Sequence, residues 1–62
     1  MNKPKVTLAG ADGNVFNLLG ICTTALRQAG QEKQADELIE KLFKASSYEH
    51  ALSLMAEYCE VN

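Results

Sequence analysis

Residues 8–20 read LAGADGNVFNLLG. An apolar run stops at Gly10-Ala11-Asp12-Gly13-Asn14, and a second apolar run begins at Val15. Three readings compete for this stretch: a phosphate-binding loop, a hairpin turn, and a joint between a strand and a helix. The choice decides the fold.

The phosphate reading has glycines beside a helix start, where free N–H groups and the helix dipole attract anions. Spacing counts against it. A dinucleotide fingerprint needs G-x-G-x-x-G, and a P-loop needs G-x-x-x-x-G-K-[ST]. Here Gly10-Ala11-Asp12-Gly13 is followed by no lysine, and Asp12 sets a negative charge where an anion would sit. A calcium loop needs more oxygen ligands and a closing glutamate. The hairpin reading is stronger. Asp-Gly is a preferred type I′ pair, and Val15 and Phe16 favour a return strand over residues 15–19.

Periodicity decides for the helix. Val15, Leu18, Leu19, Cys22, Ala25, Leu26 and Ala29 keep the i, i+3, i+4, i+7 spacing of one helical face. Asp12 or Asn14 then caps the helix, and Gly10 or Gly13 turns the chain. Phe16 and Ile21 widen the apolar arc, as expected of a central helix. Gly20 in its middle costs about 1 kcal/mol relative to Ala. Close approach by another backbone is the expected compensation. Gly30 stands where a helix-terminating C′ glycine belongs.

Working outward, Lys5-Val6-Thr7-Leu8-Ala9 alternates with the period of a half-buried strand, and Pro4 suits its start. A second helix carries Ala35, Leu38, Ile39, Leu42 and Phe43 as its apolar stripe. Glu37–Lys41 and Glu40–Lys44 are spaced as favourable i, i+4 pairs on its solvated side. Ser46-Ser47-Tyr48-Glu49 fits a capping box, with Ser46 as N-cap and Glu49 at N3. A third helix follows, with Tyr48, Ala51, Leu52, Met55 and Cys59 or Tyr58 inward. The turn between these helices has room for two or three residues. Val61 is expected to pair beside the first strand, which cannot satisfy its own backbone groups alone. The expected fold is therefore mostly helical α+β, a single domain over residues 1–62.

Composition limits function. The 62 residues carry a net charge of −2, and the six basic residues form no cluster. A nucleic-acid binder normally shows a basic face, so neither DNA nor RNA is the expected partner. No apolar run approaches the roughly 18 residues of a membrane span. MNKPK contains no apolar signal-peptide core, so a cytoplasmic location is expected. Cys22 and Cys59 then read as reduced core thiols, with a disulfide as the alternative. With His50 they do not supply a structural zinc set. His50 reads as a surface residue and both tyrosines as packing residues. No catalytic, cofactor-binding or metal-binding residue is expected.

The segments GADGN, ALRQAG, SSYEHAL and YCEV, in this order, resemble a small family of uncharacterised bacterial and phage-associated proteins. The likeness covers nearly the whole chain and implies no activity. QADELIEKLFKA and YEHALSLMAEY look like tetratricopeptide-type helices, but a single such repeat does not stand alone.

The functional expectation is a small non-enzymatic domain acting by protein–protein contact, with itself or with another protein. Self-association is favoured because so short a chain buries only about 60% of its surface. Two alternatives belong to other classes. One is a small-ligand or phosphate-binding module at Gly10, Asp12, Gly13 and Asn14. The other is an acidic helix-turn-helix-like regulator using the second and third helices, although no Lys or Arg lies beyond Ser47.

Overall fold

The computed structural model describes residues 3–8 and 13–61. The order is β1 (Lys5–Val6), α1 (Val15–Gln28), α2 (Glu32–Phe43), α3 (Tyr48–Tyr58) and β2 (Glu60–Val61). The three helices pack on one another, with β1 against α1 and β2 against α3. The strands pair in parallel, Lys5 opposite Glu60 and Val6 opposite Val61. The expected pairing of the C-terminal residues with the first strand is therefore present. Over β1 and the two residues after it, Val6 is buried and Leu8 packs on the core, while Lys5 and Thr7 face out. The alternation holds, but the ladder itself spans only two residues. Ala9, the expected end of the strand, lies outside the described residues.

Residues 15–19 are helical, which excludes the return strand. Asn14 has extended backbone angles, and its side-chain oxygen accepts from the Phe16 N–H at 2.8 Å. At the other end Gly30 has φ 76°, a conformation that glycine adopts without a Cβ penalty. The Gly30 N–H reaches the Arg27 oxygen at 3.0 Å, and the Gln31 N–H reaches the Leu26 oxygen at 2.8 Å. These two bonds form a Schellman ending. It turns the chain directly into α2.

The third helix begins one residue later than the capping box implies. Ser47, not Ser46, is the N-cap, and its hydroxyl accepts from the His50 N–H at 3.0 Å. His50 rather than Glu49 therefore occupies N3. Two adjacent serines make the sequence pattern ambiguous by one residue, and the extended backbone at Ser47 (φ −160°, ψ 168°) resolves it. The turn before it runs over Lys44–Ser47.

The core consists of Val6, Leu18, Leu19, Cys22, Leu26, Ala35, Leu38, Leu42, Ala51, Leu54, Met55 and Cys59. Thr23 and Leu54 join it unforeseen. The Thr23 hydroxyl donates to the Leu19 carbonyl at 2.9 Å, so its burial leaves no polar group unpaired. Gly20 meets nothing within 4 Å of where a Cβ would stand. The expected backbone approach is absent, because Gly20 faces away from α2 and α3.

Phe43 and Tyr48 were expected inside and are exposed, as is Phe16. On α2 the buried residues Ala35, Leu38 and Leu42 define an arc, and Phe43 lies roughly 100° from its centre at about 100° per residue. Phe43 is also the last residue of its helix, and Tyr48 is the first of the next. Both stand at an end of the bundle where the described residues cover them only in part.

Candidate functional site

The sequence singles out Gly10, Asp12, Gly13 and Asn14. Gly10 and Asp12 lie outside the described residues. Gly13 and Asn14 are exposed immediately before α1. Both are occupied by structural bonds. The Asn14 carboxamide oxygen caps α1, and the Gly13 carbonyl accepts the Tyr48 hydroxyl at 2.8 Å.

A different feature stands out at the corner where α1 begins, α2 ends and α3 begins. Phe16, Phe43 and Tyr48 are each first, second or last in their helix. The Phe16 and Phe43 ring centroids are 6.4 Å apart at 47°, within the range of a favourable aromatic pair. With Val15, Leu42 and Ala51 they line a concavity of about 330 Å³. Tyr48 also walls a second concavity of about 310 Å³, lined by Leu8, Leu18, Leu52 and Val61 among others. Among the described residues, the four exposed large apolar side chains, Phe16, Phe43, Tyr48 and Val61, border these two adjoining hollows. Among the described residues, no charged one lines either hollow.

The polar groups at this corner are already engaged. The Tyr48 hydroxyl is bonded to Gly13, and the Ser47 hydroxyl caps α3. The His50 Nδ1 accepts from the Ser46 N–H at 3.1 Å and lies 3.2 Å from the Ser46 hydroxyl. Sequence reasoning missed this serine–histidine pair. Its i, i+4 spacing becomes visible only once the helix start is known. A serine–histidine pair is a nucleophile–base geometry, but here the Nδ1 lone pair is spent on an exposed backbone amide. The bond resembles the reciprocal half of a capping box but falls on Ser46, the residue before the N-cap, rather than on Ser47.

Cys22 and Cys59 are both free and buried. The Cys59 thiol contacts the Cys22 carbonyl oxygen at 3.7 Å. Burial, reinforced by the neighbouring Cys59, pushes the Cys22 thiol up to about 12. Burial raises Cys59 as well. A nucleophilic cysteine needs the opposite shift. Among the described residues, no group of three or more His, Cys, Asp or Glu could hold a metal ion, and no helix is long and apolar enough to cross a membrane.

The charged side of α2 is organised by Tyr58. Its hydroxyl donates to Glu37 at 3.1 Å, and the Lys41 ammonium lies 5.1 Å from its ring centroid. Arg27 and Asp36 pair at 3.3 Å across α1 and α2. These contacts are solvent-exposed, and such pairs typically contribute under about 1 kcal/mol.

A third concavity of about 580 Å³ runs between β1 and the outer face of α1, past Gly20, Ile21, Thr24 and Gln28. It is wider than the corner hollows, and Lys5 stands on its wall. Comparison with protein-family models, curated proteins and solved structures yields no match.

Proposed function

We propose that this chain is a small non-enzymatic domain that works by protein–protein contact, and that it associates with itself. One observation carries the reading. Among the described residues, the exposed large apolar side chains are not scattered but border two hollows that share Tyr48, and no described charged residue lines either. Single exposed apolar residues are ordinary, whereas a contiguous apolar patch marks a contact surface.

Two further features support it. Both thiols are buried with raised proton affinity, and the histidine is engaged in a helix cap, so the chemically able side chains are committed to structure. The small core also leaves stability to be supplied by association. Light scattering after gel filtration tests the reading. The expected result is a dimer or larger assembly at micromolar concentration. A monomer at every concentration up to the millimolar range contradicts it.

A further inference from the structure

We infer that two copies of this chain meet through the corner formed by Phe16, Phe43 and Tyr48, in a two-fold arrangement that sets one aromatic pair against the other. This rests on the self-association proposed above and adds the face.

Two concave faces compete for the role, and size alone favours the wrong one. The groove between β1 and α1 is the larger. Its wall carries the Lys5 ammonium and the Gln28 amide, which lose water on burial and need new partners. In a two-fold contact each such group meets the same face on the other copy, so like charges approach. The corner has neither problem. Among the described residues, no charged one lines it. Its hydroxyls already bond within the chain, Tyr48 to Gly13 and Ser47 to the His50 amide. Covering it removes apolar surface from water and leaves these two hydroxyls paired.

An apolar surface is also complementary to itself. The chain carries −2 overall, so two copies repel through most orientations and least through an uncharged patch. The area agrees. Phe16, Phe43 and Tyr48 are 62%, 72% and 48% exposed. At about 200 Å² for a whole aromatic side chain, they offer roughly 360 Å². An ordinary interface covers about 800 Å² per partner, about 65% apolar in homodimers, so roughly 500 Å² of apolar surface is needed. Val61, 39% exposed, and the half-buried Leu52 and Leu8 supply the remainder.

Sedimentation equilibrium of the full chain and three variants tests the face. Phe43→Asp replaces an exposed side chain that lines the corner and not the groove, Phe16→Asp one that borders both, and Thr24→Glu an exposed one in the β1–α1 groove and not the corner. Circular dichroism establishes that each variant folds. The expected result is a wild-type dimer whose dissociation constant rises roughly tenfold or more in either phenylalanine variant, the effect of losing a central aromatic anchor. Thr24→Glu is expected to change it by less than about twofold, as a site outside the interface does. A dimer broken by Thr24→Glu and indifferent to Phe43→Asp, whatever Phe16→Asp does, overturns the face and leaves self-association standing. A wild-type chain that stays monomeric overturns both.

Discussion

The Tyr48 hydroxyl donates to the Gly13 carbonyl oxygen at 2.8 Å, across 35 residues of sequence. It ties the start of α3 to the residue before the α1 cap, so two helix N-termini are held together at the aromatic corner. The bond is exposed to solvent, which sets its worth at the low end of the usual range. Tyr48→Phe is expected to cost about 0.5–1 kcal/mol in urea unfolding. The ring stays in place, so association should weaken little. A loss above about 3 kcal/mol would mean that the hydroxyl supports more than this one bond.

The caps make a paired prediction. Asn14→Ala and Ser47→Ala each remove a side-chain acceptor from a helix N-terminus. Each is expected to cost about 0.5–2 kcal/mol, with glycine at either position costing only a few tenths. Ser46→Ala should cost less than Ser47→Ala, because the Ser46 backbone N–H, not its side chain, is what His50 principally satisfies. Equal losses at Ser46 and Ser47 would contradict the assigned helix start.

Gly20 lies inside α1 with open space where a Cβ would stand. Gly20→Ala is therefore expected to stabilise the chain by about 0.5–1 kcal/mol, through the entropy of the unfolded chain and helix propensity. Thermal unfolding checks this. Destabilisation would show that something covers that face in solution.

Leu38 and Phe43 belong to the same apolar stripe in sequence but not in energy. Leu38 is fully buried, and Phe43 is 72% exposed. Leu38→Ala is expected to cost about 2–5 kcal/mol. Phe43→Ala, measured well below the association range, loses its pairing with Phe16 and should cost no more than about 1.5 kcal/mol. Equal losses would place Phe43 in the core.

The thiols predict alkaline lability. Cys22 has an ordinary value of 9.0 and is pushed up to about 12 by burial. The unfolded chain therefore releases this proton first as pH rises. The contribution is fully present below about pH 9 and is lost as pH climbs toward 12, at up to about 1.4 kcal/mol per unit. Burial shifts Cys59 in the same direction. Urea unfolding between pH 8 and 10.5 should show this decline, and Cys22→Ala should flatten it while lowering stability at neutral pH. A slope unchanged in Cys22→Ala rules this origin out. Iodoacetamide should modify neither thiol in the folded chain and both in denaturant.

Much of the fold is written in local pattern. The spacing from Val15 to Leu26 outweighs the hairpin signal of Asp12-Gly13, because repeated apolar positions bury together only on a helix. Gly30 ends that helix because its position requires a positive φ. Val6 and Leu8 alternate inward because a pleat alternates. The candidate site was less accessible. Gly10, Asp12, Gly13 and Asn14 drew attention as a glycine loop, and the two of them that are described serve a cap and a tether. Phe43 and Tyr48 looked like core because the helical period says which residues share a face. It does not say how far along the axis the neighbouring helix reaches. Only the tertiary structure decided that α1 starts, α2 ends and α3 starts at one corner. There the apolar stripes run past their covering partners, and three aromatic rings are left facing water.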